Sequence, residues 1–545
     1  MKNKLILTQK IVLPILIIFS LIFSFWLMFH TFSYKNGGMQ IAPRVWSDFS
    51  GNIPLIRSFS LGDNFPPEYP LFSGEPIRYH FLFYLFVGFL EKIGLNIAWA
   101  LNIPSAIGFT LLLMMIYFFA NFLFKNKLVA TLAVFLFLFN GSLSFLEFFK
   151  IHPLNSNTIN DILKNQTFPS FGPYDGKIIS AFWNLNIYTN QRHLALAFGL
   201  SLSLLYFLLK QVKTNSVKMW VYISLGLLLG LSFFFHLAVF FMTVIILISF
   251  LILFPIIRIK LLVLIFFALI ISLPQYLIYK NHSTLSVELF NPGYLVEKPL
   301  DFAKIIIYWF HNLGLHLLLI PLGFLLASKT AKKVLLSFLV IFVIGNLFQF
   351  SPEIAANHKF FNFFMILGVM YSSYFLICLW KKSMFSRPLV IILLLLSTLS
   401  GIIDFFPIYN DSKGTLKDYP TNSDIKWIMN NTPKNAVFLN SSYLYDPASM
   451  AGRRIFLGWP YFAWSQGYDT NRRGSIMKDI LKTEDLQTSC KLLTENRIDY
   501  IEISEKSISD LDFPRVSNLY LNNHLTIYSN PDIKYFILKK TDICK

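Results

Sequence analysis

An acidic residue closely follows the first apolar segment of the chain and is the strongest candidate for chemistry. Asp48 lies about fifteen residues beyond this segment, and Trp46 beside it is an aromatic residue of the kind that anchors at a membrane interface. The carboxylate would therefore lie at the depth of the lipid headgroups, where it could take a proton from a hydroxyl group. The alternative is that Asp48 caps a helix beginning at Phe49 or Ser50, a position for which Asp is well suited.

Two clusters of cationic and imidazole side chains could bind an anion at the same face. Arg192 and His193 open one apolar segment, and His358 and Lys359 open another. Inward-facing polar residues at the mouth of a span are functional by default, and a departing phosphate needs cations to stabilise its developing charge. The alternative is that these side chains extend to the interface, as Lys and Arg often do at helix ends.

The long loop after the first apolar segment carries further polar candidates. Arg57, Arg78 and His80 are weaker candidates for binding an anion or an acceptor molecule. Glu68, which follows two prolines, could bind an acceptor hydroxyl or fix the loop. The scattered histidines show no ligand spacing that supports a metal site, so we predict no metal-binding residue.

The elements that must position these residues are membrane helices. The chain of 545 residues is 55% hydrophobic and only 14% charged, and its mean hydropathy of +0.56 excludes a soluble protein of this size. The formal net charge is +18, and the Lys and Arg residues lie mainly in short clusters between apolar runs. Topology signals occur at such positions. The excess of basic residues therefore indicates the orientation of the protein in the membrane and contact with lipid headgroups, and we expect no nucleic-acid partner.

The basic clusters also predict the topology. If all of them face the cytoplasm, the number of spans between successive clusters is even. This rule predicts a multi-pass protein of the plasma (inner) membrane with a cytoplasmic N-terminus, an extracytoplasmic C-terminus and about eleven spans. The predicted spans are 11–32, 97–124, 128–149, 192–210, 219–236, 237–257, 261–279, 303–327, 334–350, 361–380 and 388–408.

Two parts of this topology are specific enough to check. The unbroken apolar run 219–257 has His236 at its middle, which predicts a tight hairpin. The segment 79–94 is predicted to be an amphipathic helix lying on the outer surface. The transmembrane domain is then 1–408, with outer loops 33–96 and 150–191.

The composition after residue 408 changes to that of a soluble domain. Residues 409–545 are numerous enough for a core of their own, and their alternating pattern predicts a small α/β domain on the outer face. Its predicted elements are helices at 424–430 and over 475–495, strands at 436–439, 454–457 and 500–503, and a closing hairpin from 524 to 538. Cys490 and Cys544 lie in it and could form a disulfide, although a domain that relied on disulfides would usually carry more cysteines.

The layout of about the first 210 residues resembles that of the GT-C glycosyltransferases. These integral membrane enzymes take sugars from polyprenyl-phosphate or polyprenyl-diphosphate donors. The shared features are an anchor, an outer loop with an early acid, a surface helix with aromatic residues, and helices joined by short basic turns. Four runs are similar to an uncharacterised bacterial branch of this class, namely 56–60, 64–68, 79–81 and 452–458.

The resemblance implies a GT-C fold and a hexosyl- or pentosyltransferase in which Asp48 is the catalytic carboxylate. The implied partners are a polyprenyl-phosphate-linked sugar donor, a lipid or glycan acceptor, and membrane lipids; a divalent cation, Mg²⁺ or Mn²⁺, is a possible cofactor. The chain departs from the pattern of many such enzymes, because Ser47 and Phe49 flank Asp48 where paired acids are common, and 150–191 has no clear Asp-x-Asp.

Two other classes of protein stay open. A polysaccharide polymerase or ligase would also use cationic side chains on lipid-linked substrates, although usually through a large middle loop. A lipid or glycan transporter would have no transferase activity. Transporters tend to show internal repeats and charged or broken helices at the midplane, and this sequence shows no repeat.

Overall fold

In this computed structural model the chain is mostly helical, and the structure describes residues 2–170, 177–214, 216–282, 288–504, 516–521 and 525–544. The helices, in chain order, are α1 (Lys2–Thr31), α2 (Pro43–Ser60), α3 (Leu82–Lys92), α4 (Ile97–Phe124), α5 (Lys127–Leu138), α6 (Phe145–Ile151), α7 (Thr158–Leu163), α8 (Asn186–Asn190), α9 (Leu194–Thr214), α10 (Met219–Phe235), α11 (Leu237–Leu253), α12 (Arg258–His282), α13 (Phe302–Leu313), α14 (His316–Leu326), α15 (Lys329–Leu347), α16 (His358–Lys382), α17 (Arg387–Tyr409), α18 (Ser423–Asn431), α19 (Pro447–Met450), α20 (Pro460–Ser465), α21 (Thr470–Lys482), α22 (Leu486–Glu495) and α23 (Lys540–Ile543). The strands are β1 (Phe32–Lys35), β2 (Gly38–Ile41), β3 (Gly414–Lys417), β4 (Val437–Leu439), β5 (Arg454–Ile455), β6 (Tyr500–Ser504), β7 (Thr526–Asn530) and β8 (Tyr535–Lys539).

Helices occupy every predicted span, but their lengths differ. Among the described residues, 7 helices are long and apolar enough to cross a membrane, and the pair α13 and α14, bent by 89°, brings the number to 8 if it is one span. Three shorter apolar helices, α5, α10 and α11, occupy the remaining predicted spans. The protein is a multi-pass membrane protein, as predicted. The predicted span 128–149 is too long, because α5 ends at Leu138 and a separate helix, α6, begins at Phe145.

The chain forms two compact units that do not follow the order of the sequence. Unit 1 comprises Met1–Thr31, Asn102–Gln275 and Val287–Ser412. Unit 2 comprises Phe32–Leu101, Tyr276–Ser286 and Lys413–Lys545. The first long loop therefore belongs to the same unit as the C-terminal domain.

Unit 1 is a helical bundle in which α16 is the most buried span. Of the most apolar window of α16, 67% is buried, compared with 28% for α1. It packs against α5, α14, α15 and α17. Glycine allows a close approach, since a Cβ at Gly323 of α14 would lie 2.2 Å from the Tyr371 carbonyl oxygen of α16. Small residues at helix contacts are typical of membrane bundles.

The predicted hairpin at His236 is confirmed as a break between two helices. His236 has an extended backbone between α10 and α11, and its Nδ1 accepts a hydrogen bond from the Val239 backbone N–H. The imidazole thus caps α11, which satisfies a backbone donor that the helix leaves without a partner. Beside this break, Gly226 and Gly230 of α10 lie close to the backbone of α12.

Unit 2 contains a small antiparallel sheet that joins distant parts of the sequence. Its order is β1-β2-β3. The β1–β2 turn consists of Asn36 and Gly37, whose positive φ angles of 52° and 71° are typical of an Asn-Gly hairpin turn. β3 then pairs with β2, with Gly38 opposite Lys417. The loop after the first span and the segment after the last span therefore share one sheet.

The second sheet of unit 2 confirms the predicted α/β domain. Its order is β5-β4-β6-β8-β7, in which β5, β4 and β6 are parallel and the other pairs are antiparallel. α18, β4, β6 and the β7–β8 hairpin lie where the sequence predicted them, although His524, the predicted start of the hairpin, lies outside the described residues. Cys490 and Cys544 form a disulfide that joins α22 to the C-terminal end of α23, with Cα atoms 5.6 Å apart.

Candidate active site

Asp48 is half-buried in the second turn of α2. The helix begins at Pro43, whose fixed φ suits a first turn, and its N-cap is Ala42, which makes no side-chain cap hydrogen bond. The alternative that Asp48 caps a helix beginning at Phe49 or Ser50 is therefore wrong. The helix does not depend on the Asp48 carboxylate for its N-terminus.

Aromatic side chains from both ends of the sequence lie near Asp48 within unit 2. The rings of Trp46 and Tyr445 meet edge-on with centroids 4.7 Å apart, and the Tyr445 hydroxyl donates to the Trp46 carbonyl oxygen at 2.5 Å. Burial and, secondly, the charge of Asp48 raise the pKa of Tyr445. The same two causes raise the pKa of Tyr79. Asp48 is thus close to two phenols that stay protonated at neutral pH.

Arg57, further along α2, is a fully buried cation between two acids. Its Nη2 donates to Asp418 Oδ2 at 2.7 Å, and its Nε lies 3.0 Å from Glu91 Oε1, close enough for an ion pair but not aligned for a hydrogen bond. Burial alone would lower the pKa of Arg57, but the two carboxylates outweigh it and raise the pKa. The three charges hold α2 against α3 and the segment that follows β3.

The run 452–458 packs on the C-terminal end of α2. Gly452 has a φ of +78°, and a Cβ there would lie 2.6 Å from the Arg57 carbonyl oxygen, so this position requires glycine. Arg453 is buried and donates to carbonyl oxygens at the C-terminal end of α18. These acceptors belong to Ile428, Met429 and Thr432.

Two other polar candidates of the first loop, Glu68 and Arg78, contact the C-terminal domain. Glu68 forms an ion pair with Arg454. The Arg78 guanidinium donates to the Gly467 carbonyl oxygen at 2.5 Å and lies 4.4 Å from the centroid of the Tyr468 ring. His80 is buried. The four runs that resemble the bacterial branch thus all lie in unit 2, and the contacts of runs 56–60, 64–68 and 452–458 fix the loop that carries Asp48.

Aromatic residues that the sequence analysis did not select lie on α20 and just before it. Tyr461 is 42% exposed, and its ring lies 5.5 Å from Trp459 and 6.0 Å from Trp464 between centroids. The Phe462 ring lies 4.7 Å from the ring of Trp459 and also contacts the position of Gly51 in α2. A short sequence rich in Trp, Tyr and Phe after a glycine was the signal that could have identified this surface.

Arg192 of unit 1 is fully buried between helices. Its guanidinium donates to Thr31 Oγ1 of α1 at 2.7 Å, to Asn102 Oδ1 of α4 at 3.0 Å and to the Thr189 carbonyl oxygen of α8 at 2.7 Å. It therefore holds three helices together at the entrance of α9. Its positive charge is fixed in place by these contacts.

The two predicted anion-binding clusters come together in unit 1. Gln191, next to Arg192, lies 3.4 Å from His358 between side-chain nitrogens. The rings of His193 and His236 are 5.0 Å apart, and Lys359 is close enough to act electrostatically on both. The structure thus places the start of α9 beside the start of α16, two segments that are far apart in sequence.

Unit 1 also contains a buried polar group that the sequence analysis missed. Asp404 of α17 is fully buried, its Oδ2 accepts a hydrogen bond from Asn184 Nδ2 at 3.0 Å, and its Oδ1 has no hydrogen-bond partner among the described residues. Asn184, Asn140 and Asn362 line a cavity of about 10 Å³, room for about one water molecule. Asp404 could have been identified from sequence as an acid inside a span, whereas the asparagines gave no signal.

The comparisons with known proteins agree with this architecture. No family model matches the sequence, and no curated protein matches it. A crystal structure of the apo oligosaccharyltransferase of Archaeoglobus fulgidus matches with a TM-score of 0.52 and 13% identity, covering 90% of this chain and 69% of that chain. The archaeal oligosaccharyltransferase AglB of the same organism, in complex with an inhibitory peptide and a dolichol-phosphate, matches at a TM-score of 0.47 and 12% identity over the same shares. A crystal structure of the enzyme in complex with Zn and sulfate matches at 0.44 and 13% identity, covering 90% of this chain and 68% of that chain.

The chain therefore has the fold of a helical membrane protein with a C-terminal α/β domain. Among solved structures it is similar to the oligosaccharyltransferase of Archaeoglobus fulgidus. The fold that the sequence resemblance predicted is confirmed, and the likeness at 13% identity concerns the fold.

Proposed function

We propose that this protein is a membrane glycosyltransferase that moves a sugar from a polyprenyl-phosphate-linked donor to an acceptor at the outer face of the membrane. The observation that carries the proposal is the oligosaccharyltransferase-like fold over 90% of the chain. Dolichol-phosphate, the ligand of the AglB complex, is of the lipid class proposed here as the donor's carrier. The position of Asp48 on α2 supports its assignment as the catalytic carboxylate.

Asp48 acts as the general base in this proposal. Its carboxylate takes the proton of the acceptor nucleophile while that atom forms a bond to the anomeric carbon of the sugar. The bond between this carbon and the donor phosphate oxygen breaks, and the polyprenyl phosphate leaves with the electron pair. The protonated phenols of Tyr79 and Tyr445 keep the surroundings of Asp48 free of a second negative charge at neutral pH.

The donor phosphate is assigned to the cluster at the starts of α9 and α16. Lys359 supplies a positive charge, and His193 and His358 supply hydrogen-bond donors. Arg192 contributes charge from its fixed position between helices. The proximity of the two segments supports this assignment, because a phosphate needs cationic and hydrogen-bonding groups that converge on it.

A divalent cation, Mg²⁺ or Mn²⁺, is a further expectation of the family resemblance. Unit 1 offers the buried ring nitrogens of His193 and His236, which lie within 4.8 Å of one another. Imidazole nitrogens suit zinc and related metals, whereas Mg²⁺ and Mn²⁺ prefer oxygen ligands. This pair does not fit the expected ions, so the proposed steps use the side chains of the protein alone.

The test is Asp48→Asn, which keeps the shape of the side chain but removes its proton-accepting charge. We expect sugar transfer to fall by on the order of a hundredfold or more, with the thermal unfolding of the protein unchanged. The assay follows radiolabelled sugar from polyprenyl-phosphate donors into lipid and glycan fractions. Asp63→Asn is the matched control, because Asp63 is an exposed acid of the same loop.

Two results would contradict the proposal. Full transfer by Asp48→Asn would remove the catalytic role of this carboxylate. If the wild-type protein transferred no sugar from any polyprenyl-linked donor, the assignment as a glycosyltransferase would itself be wrong.

A further inference from the structure

The aromatic surface of unit 2 formed by Trp459, Tyr461 and Trp464 is a feature that the proposed reaction does not yet use. Tyr461 lies at its centre and is 42% exposed. The plane of the Tyr461 ring makes an angle of 41° with that of Trp459 and of 38° with that of Trp464. The three rings are therefore tilted relative to one another rather than stacked. The flanking tryptophans are partly exposed. The rings thus form a shared apolar surface open to the exterior of unit 2.

The segment that carries this aromatic surface is fixed at both ends. Before it, the Gly458 backbone N–H donates to the Leu71 carbonyl oxygen at 2.7 Å, and a Cβ at Gly458 would lie 2.8 Å from that leucine side chain. After it, the Tyr468 hydroxyl donates to the Pro76 carbonyl oxygen at 2.8 Å. Because the first loop holds the segment on each side, the rings are ordered before any ligand arrives, which lowers the entropy cost of binding.

The aromatic surface lies beside the helix face that carries Asp48. Gly51 is three residues after Asp48, so the two share one face of α2. A Cβ at Gly51 would lie 3.4 Å from the ring of Phe462, a neighbour of Tyr461 in α20. The Phe462 ring also lies 4.7 Å from the ring of Trp459, so it connects the aromatic surface to the face of α2 that carries the proposed general base.

We propose that the aromatic surface is a subsite for a sugar ring of the acceptor, so that the acceptor is a carbohydrate. This inference rests on the proposed function, because it places the acceptor beside Asp48. A pyranose ring has an apolar face of C–H groups and a rim of hydroxyls. Stacking buries the C–H face on an aromatic ring and leaves the hydroxyls at the edge.

The backbone of α20 disfavours an extended peptide as the occupant. Peptides that bind in extended form pair with free backbone groups at a strand edge. Here the backbone N–H groups of Phe462 and Ala463 donate to Trp459, and that of Gly467 donates to Trp464, so the turns of the helix use them internally. The surface offers ring faces instead, which suit the C–H face of a sugar.

The experiment measures saturation transfer by NMR from the full-length protein in lipid nanodiscs. The probes are the methyl glycosides of glucose, galactose, mannose, rhamnose and N-acetylglucosamine. We expect the ring C–H signals of one or more of them to receive saturation from the wild type. Tyr461→Ala and Trp464→Ala should abolish this transfer, whereas Tyr461→Phe should keep it because the ring remains. Trp220→Ala, which removes a tryptophan 63% exposed on α10, is the control and should behave as the wild type.

The inference is overturned if no glycoside receives saturation from the wild type, or if the alanine variants bind as the wild type does. The second outcome would also be observed if the rings contact lipid. In the transfer assay, the alanine variants should raise the acceptor KM roughly five- to tenfold with the donor KM unchanged. A wild type without transfer activity would refute the proposed function, while the NMR result would still decide whether this surface binds sugars.

Discussion

Asp446 and Glu502 form a pair of buried acids in the second sheet of unit 2. Asp446 Oδ2 accepts hydrogen bonds from the backbone N–H groups of Ser441 and Ser442, at 3.0 and 3.1 Å. Glu502 Oε1 accepts one from the Tyr535 hydroxyl at 2.6 Å. Burial and, secondly, the nearby Asp446 carboxylate raise the pKa of Glu502 well above its usual range. Glu502 is therefore the member of the pair that holds a proton.

The first prediction follows from this proton. The pKa of Glu502 is higher in the folded protein than in the unfolded chain, where it is about 4.3. The contribution of Glu502 to the stability of the fold is therefore complete below about pH 4.3, and it is lost as the pH rises through the pKa of the folded state. Glu502→Gln cannot titrate, and it should raise the thermal midpoint at neutral and alkaline pH by about 2–8 °C. Thermal unfolding in detergent from pH 5 to 9 measures this. Glu495→Gln, at an exposed acid, should follow the wild type; a Glu502→Gln midpoint that keeps the wild-type pH dependence would contradict the prediction.

The second prediction concerns Lys359 and the donor. Loss of a charge-assisted hydrogen bond to phosphate should raise the donor KM by on the order of tenfold in Lys359→Ala, with the acceptor KM unchanged. Steady-state transfer at varied donor concentration measures it. Lys329→Ala removes an exposed lysine at the start of α15 and serves as the control. An unchanged donor KM in Lys359→Ala would remove this residue from the donor site.

Among the elements of unit 2, α2 is held by contacts with both the rest of the first loop and the C-terminal domain. Its Arg57 is paired with Glu91 and Asp418, and Gly452 touches the carbonyl oxygen of the same arginine. Buried ion pairs contribute little net stability but are costly to break. These contacts therefore fix the position of α2, and with it the direction of Asp48.

The third prediction separates backbone strain from packing at Gly452. Gly452→Ala combines a positive φ with a Cβ 2.6 Å from a backbone oxygen, so it should destabilise the protein by about 1–3 kcal/mol. Gly74 also has a positive φ, +84°, but a Cβ there would meet nothing within 4 Å. Gly74→Ala should therefore cost less, about 1 kcal/mol. Equal losses in the two variants, measured by unfolding in denaturant, would show that the contact with α2 is unimportant.

At the scale of the whole molecule, the membrane topology is the property that decides where the chemistry takes place. The basic clusters between spans predict an extracytoplasmic C-terminus. The disulfide between Cys490 and Cys544 supports this orientation, because disulfides persist in oxidising compartments.

The fourth prediction tests that topology with fusions. A green fluorescent protein fused after Lys545 should stay dark, and alkaline phosphatase at the same place should be active. Fusions after Lys382, in a predicted cytoplasmic turn, should give the opposite results. Fluorescence from the fusion after Lys545 would place the C-terminal domain in the cytoplasm and contradict the proposed outer-face reaction.

Several features of this protein were predictable from the sequence because they depend on neighbouring residues. Hydropathy located the membrane helices, and the polar His236 marked the break between α10 and α11. Local patterns also predicted α18, β4 and β6 in the C-terminal domain. The start of α2 was missed, because Pro43 begins the helix well before the Ser-Asp pair that the capping rule favoured.

Tertiary structure alone decided how distant segments combine. β2 pairs with β3 although all the later membrane helices lie between them in sequence. Gln191, just before α9, likewise lies beside His358 at the start of α16. The hydrogen bond of Asp404 was equally unpredictable, because its donor, Asn184, comes from a segment far away in sequence. Hydrophobic periodicity reports which face of an element is buried, but it does not report what covers that face. The partners are set by the packing of the whole chain.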